Sequence, residues 1–146
     1  MSLFKAIVSG FVGACAVTLV NETVRQFVKD APRLDVLGKR AIAYPLMKMG
    51  QEPPPDKELY WITMGSDIVS NSLYYSLIGL GEEENALKNG TYLGLLAGFG
   101  AVVLSEPLGL GEEPVNRTRN TEIMTVFWYL TGGLAAAATY KMLSED

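Results

Sequence analysis

Asp67 is a carboxylate inside an apolar run. The segment TMGSDIVSNSLYYSLIGLG, residues 63–81, is otherwise suited to burial. An ionised acid within a lipid-spanning helix costs at least roughly 2.5–3.5 kcal/mol on insertion scales, so this group must be neutral, paired or wet. Ser66, Ser70, Asn71 and Tyr74 share its side of a helix by spacing, while Ile62, Val69, Leu73 and Leu80 mark the other side. The polar side is expected to turn inward. Polar residues of matching depth occur elsewhere in the chain: Asn21, Glu22 and Arg25 upstream, then Ser105 and Glu106, then Arg117, Arg119, Thr121, Glu122 and Thr125. Arg25, with its long flexible stem, is the expected partner of Asp67. The candidate ligand- or ion-binding set is therefore Asp67, Asn71, Glu22, Arg25, Asn21, Glu106, Arg117 and Glu122.

The residue types limit the chemistry. The chain has no histidine, which removes the commonest general base and transition-metal ligand. Its single cysteine, Cys15, excludes an internal disulfide, a CxxC redox pair and a cysteine zinc site. No nucleophile motif is present, no catalytic residue is assigned, and the expectation is a protein that is not an enzyme and carries no cofactor. Glu22, Asp67, Glu106 and Glu122 offer hard oxygen ligands, but their spacing matches no metal signature and leaves the metal question open. With 16 acidic against 12 basic residues, the balance argues against a nucleic-acid partner, which needs a basic face.

Four apolar stretches must position these groups. They cover about 3–28, 59–80, 86–104 and 122–143, each near the ~20 residues that cross a ~30 Å hydrocarbon layer. Hydrophobic residues make up 49% of the 146 and charged residues 19%. The expectation is an all-α, integral membrane four-helix bundle forming one transmembrane domain, 1–146, with membrane lipids as its surroundings. An unusually apolar soluble helical bundle is the alternative. VGAC at 12–15 loosely resembles a lipoprotein cleavage box, but the apolar run continues past Cys15 to Val20, so the first stretch reads as an uncleaved helix. It should run on to Val28 and stop before Pro32. The connection at about 29–58 contains Leu34, Leu37, Ala41, Ile42 and Leu46 at near-helical spacing among Lys39, Arg40 and Lys48. That pattern suits an interfacial helix, although Gly38 and Pro45 weaken it. The acidic turn GEEEN at 81–85 predicts a tight antiparallel pair of the second and third helices. Asn120 or Thr121 can cap the fourth, with Glu122 near its positive end.

Basic residues set the orientation. Lys5, Lys88 and Lys141 lie on the side of the termini; Arg25, Lys29, Arg33, Lys39, Arg40, Lys48, Lys57, Arg117 and Arg119 lie on the other. By the positive-inside rule the second side is cytoplasmic and both termini are outside. Tyr60, Trp61, Tyr92 and Tyr140 fall at depths that favour interfacial rings. Ala6, Gly10, Ala14 and Thr18, then Gly90, Gly94 and Gly98, then Gly132, Gly133 and Ala135–Ala138 give three helices a small-residue face. Such faces let helix backbones approach closely, within one chain or between copies of a homo-oligomer.

The stretches NETVRQFVKDAPRLDVLGKRA (21–41) and SDIVSNSLYYSLIG (66–79) resemble a group of small bacterial membrane proteins that share an APRLDVLGKRA-like segment and have no assigned function. The resemblance spans most of the chain. It implies a four-span protein of the bacterial inner membrane and no catalytic or ligand residues. Two functional readings follow from the residues, the first the expected one and the second its alternative. One is a structural or accessory membrane protein whose polar network closes the cytoplasmic end. The other is a protein that binds or transports an ion, proton or small polar ligand at Asp67.

Overall fold

The computed structural model describes residues 2–146 and is all-helical. Helix α1 covers Leu3–Val24, α2 Leu34–Lys48, α3 Asp56–Ser76, α4 Ala86–Leu104, α5 Glu113–Asn116 and α6 Arg119–Ser144. Short 3-10 turns at Leu77–Leu80 and Glu83–Asn85 join α3 to α4. Three helical segments, Leu3–Val24, Glu83–Leu104 and Arg119–Ser144, are long and apolar enough to cross a membrane. Helix α3 has the length, 21 residues, but Asp56, Lys57 and Glu58 at its start and Ser66, Asp67, Ser70 and Asn71 within it lower its hydropathy below theirs.

The interior and exterior are inverted relative to a water-soluble bundle. Small residues fill the centre: Ala6, Ser9, Gly10, Gly13 and Ala14 of α1, Gly90, Gly94 and Gly98 of α4, and Gly132, Gly133, Ala136 and Ala137 of α6 are all buried. Large apolar side chains point outward from every long helix, including Phe4 and Phe11, Val69 and Leu73, Leu96 and Phe99, and Phe127 and Met142. Water would penalise so continuous an apolar exterior, and hydrocarbon would not.

Side-by-side packing runs α3–α1–α6–α4. The expected tight pair of α3 and α4 therefore does not form. The acidic turn brings their ends together, but α4 lies along α6 and α3 along α1. The glycines decide this. A Cβ on Gly90 or Gly133 would strike the facing helix's backbone, and one on Gly98 would lie 2.7 Å from the Val126 Cα. Gly10 meets the Ser72 carbonyl and Ser76 backbone of α3 in the same way. Between helices in lipid, where no hydrophobic drive acts, such backbone approach is what would supply the attraction. The small-residue faces are thus used within the chain. Tyr74 and Tyr75 tie α3 to the rest, donating hydrogen bonds to the carbonyls of Leu93 at 2.6 Å and Tyr129 at 2.7 Å.

Three local expectations change. Helix α1 ends at Val24 rather than Val28. The carbonyls beyond it are taken by other elements: Arg117 donates to those of Lys29 and Ala31, and the Thr121 hydroxyl to that of Asp30. These contacts draw residues 29–31 off the helix axis. Thr118, not Asn120 or Thr121, caps α6, its hydroxyl accepting from the Thr121 amide at 3.1 Å. Tyr140 is buried rather than interfacial, because Ala6, Ala86 and Ala137 leave a space that its ring fills beside Ile78. Trp61 and Tyr92 are exposed, as interfacial rings would be.

Candidate functional site

Helix α2 lies against α3 at the end of the bundle where α1 finishes. Its first turn carries Asp35, which favours the positive helix end. Gly38 permits the approach: a Cβ there would lie 2.5 Å from the Thr63 Cγ2 and 3.0 Å from the Asp67 Oδ2. Beneath this contact is a cavity of about 200 Å³ between α1, α2, α3 and α6. Asn21, Glu22, Asp35, Tyr60, Thr63, Asp67, Asn71 and Tyr129 bring polar atoms to it. Val17, Leu34, Leu37, Ala41 and Met64 make the rest of its wall mostly apolar.

Two kinds of polar group meet here. The first is a closed network at the rim. Glu22 accepts from Arg25 at 2.8 Å and from the Tyr60 hydroxyl at 2.9 Å. Asp35 accepts from Arg33 at 3.1 and 2.8 Å, with the Arg25 Nε 4.0 Å away. Asn21, buried, accepts from the Leu34 amide at 3.3 Å and so fixes the start of α2 on α1. Burial pushes the Asp35 carboxyl upward, but the Arg33 hydrogen bonds and the charges of Arg33 and Arg25 outweigh it, leaving it below the usual carboxylate range. Its bond to Asp35, against the opposing cost of burial, raises Arg33 above its ordinary value.

The second kind is unsatisfied. The Asp67 carboxylate makes no ion pair or hydrogen bond among the described residues; only its backbone carbonyl is used, by Ser70. The Thr63 Oγ1 is buried without a partner, on a residue 2% exposed. The hydroxyl of Tyr129 is likewise unbonded, its backbone carbonyl being the acceptor for Tyr75. Thr63, Asp67 and Asn71 are spaced four residues apart, so they form one stripe along α3.

Arg25 is therefore not the partner of Asp67. Glu22, one turn away on α1, and Asp35 hold its guanidinium at the rim. Asp67 lies seven positions after Tyr60, about 10 Å along the helix axis, which places it deeper than that network. Of the eight expected residues, Asp67, Asn71, Glu22 and Asn21 line the cavity, and Arg25 borders it through Glu22. Glu106 is exposed in the turn after α4, Arg117 holds the Lys29 and Ala31 carbonyls, and Glu122 sits half-buried in the first turn of α6. These three do not reach the cavity. Asp35, Tyr60, Thr63 and Tyr129 join it without having been expected. The expected inward side of α3 also rotates: Ser66 and Ser70 are exposed, and Tyr60, Thr63, Asp67, Asn71 and Tyr74 turn inward. Their 3–4 spacing was the available signal. Among the described residues no group of three or more acidic, histidine or cysteine side chains is placed to hold a metal ion.

No family model matches this chain, and no curated protein or solved structure matches it either.

Proposed function

We propose that this is a small polytopic protein of the bacterial inner membrane that binds a small polar ligand in the cavity at Asp67. The observation that carries the reading is the contrast within one site. Every acid at the rim is paired, while Asp67 faces the cavity with no partner. A chain that needed only register and closure would do better with an apolar residue there, since an unpartnered, half-buried acid is a cost that function can justify. The inverted distribution of side chains supports a lipid setting, with α3 as the fourth span and its polar stripe shielded by α1 and α2. The clustering of α2, α5 and their arginines at one end supports a cytoplasmic location for that end, with both termini outside. The role is binding rather than catalysis, because the cavity presents acceptors and phenols but no activated nucleophile.

The structural or accessory reading keeps one specific support: the Glu22–Arg25–Asp35–Arg33 network docks α2 whatever the cavity does. Asp67 decides between the readings. Asp67→Asn and Asp67→Leu should unfold at the same denaturant concentration as the parent, or higher, in mixed micelles. A loss of about 2 kcal/mol or more in both variants would mean that the carboxylate holds the fold, and the binding reading would be withdrawn. Non-protein density beside Asp67 in a high-resolution map would support it directly.

A further inference from the structure

We infer that the ligand is a primary ammonium ion carried on a small apolar group, an inference that rests on the binding reading above. Charge counting comes first. Three carboxylates line the cavity: Glu22, Asp35 and Asp67. Arg25 neutralises Glu22 at 2.8 Å and Arg33 neutralises Asp35 at 2.8 Å. Asp67 is the carboxylate of the three that has no counter-charge, so a monocation bound beside it would pair with its ionised form. The nearest lysine on α2, Lys39, is engaged elsewhere, its Nζ 2.9 Å from Asp56 and 5.5 Å from the centre of the Tyr60 ring.

The walls then choose among monocations. A hard inorganic cation wants oxygens on all sides, whereas Asp67 and Asn71 lie along one stripe of α3 and face Val17, Leu37 and Met64. An organic cation matches it: the charge meets Asp67, and the body meets Val17, Leu37 and Met64, with Tyr60 and Tyr129 completing the wall. Hydrogen bonding narrows the class again. The Asp67 carboxylate and Asn71, one helical turn on, both line the cavity, and both can accept N–H donors, which a primary ammonium has and a quaternary one lacks. Size agrees. A cavity of about 150 Å³ takes a benzene ring, and this one is about 200 Å³, enough for a ring or short branched chain bearing one ammonium.

Calorimetric titration of the full chain in lipid nanodiscs, with chain-free discs as the blank, tests this using three probes: benzylammonium, benzyltrimethylammonium and benzyl alcohol. The expected result on the unmodified chain is saturable benzylammonium binding about tenfold or more tighter than either other probe. Asp67→Asn should abolish that preference and leave benzyl alcohol unchanged, and Asp67→Glu should restore part of it. Equal binding of the alcohol and the ammonium would overturn the charge assignment while leaving the cavity reading in place. Preference for the quaternary probe would overturn the primary-amine assignment alone. Absence of saturable binding by all three would overturn the inference, and the separate stability comparison at Asp67 would show whether the binding reading falls with it. Because the probe comparison uses the unmodified chain, its outcome does not depend on a variant folding.

Discussion

Asp35→Asn tests the network that docks α2 on the bundle. The carboxylate is buried, accepts two hydrogen bonds from Arg33 at 3.1 and 2.8 Å, and has a second guanidinium 4.0 Å away. Removing one partner of a fully buried ion pair costs roughly 3–5 kcal/mol. The Arg33 side chain, however, is 42% exposed, so water would solvate the cation left behind and the loss is smaller. About 2 kcal/mol is expected at neutral pH, a shift of up to about thirtyfold in the folding equilibrium. The effect also has a pH signature. The folded-state pKa of Asp35 is depressed, through the balance of burial against the two arginines. A depressed carboxylate stabilises the fold above its unfolded pKa, about 3.9. That contribution is lost as pH falls through the folded value. Equilibrium unfolding of parent and Asp35→Asn in mixed micelles should therefore show a constant gap from about pH 7 down to about pH 5, closing below about pH 4. A gap under about 0.5 kcal/mol at neutral pH, within the range of ordinary surface changes, would refute the docking role. A gap that persists unchanged into acid would refute the electrostatic account of it.

Gly38→Ala should lower stability by about 1–3 kcal/mol, because the added methyl meets the β-branched Thr63 and the Asp67 carboxylate and pushes α2 off α3; the readout is unfolding in mixed micelles. Gly133→Ala should cost at least as much, since its Cβ would meet the Gly90 carbonyl and the Gly94 backbone, which cannot rotate away. A thermal midpoint equal to the parent's would contradict the α4–α6 packing. Tyr75→Phe should cost about 1 kcal/mol through loss of the 2.7 Å bond to the Tyr129 carbonyl, with the ring contacts kept. Arg117→Ala should release the Lys29 and Ala31 carbonyls, seen as faster hydrogen exchange across residues 25–33 with little change in α4.

Much of the fold was legible because helices long and apolar enough to cross a membrane announce themselves by length and composition. The three apolar segments at 3–24, 83–104 and 119–144 lie within a few residues of the spans read from hydropathy. The amphipathic helix after the first span was visible despite Gly38 and Pro45. Gly38 weakened that reading as a poor helix former, yet it is there because α2 must touch α3. Helix ends were less legible. Nothing in the local sequence marks Val24 as the end of α1; the segment beyond it is held by Arg117 and Thr121, some 90 residues later, which donate to the carbonyls of residues 29–31.

The candidate site divides in the same way. Sequence was enough to single out Asp67, since a carboxylate in an apolar run is anomalous wherever the helix lands, and Asn71 follows it one turn later. The small-residue stripes likewise foretold close helix contact. Sequence could not say which helices would meet, because a glycine stripe is equally open to any backbone. Nor could it choose the partner of Arg25. Along the chain Glu22, Asp35 and Asp67 are equivalent acids, and only the seating of α2 puts Asp35 beside Arg25 and leaves Asp67 beyond it. The residue types therefore fixed that a charge had to be accommodated inside this bundle. The three-dimensional arrangement decided that the chain's own arginines satisfy its neighbours instead, because short-range electrostatics follows distance in space rather than order along the chain.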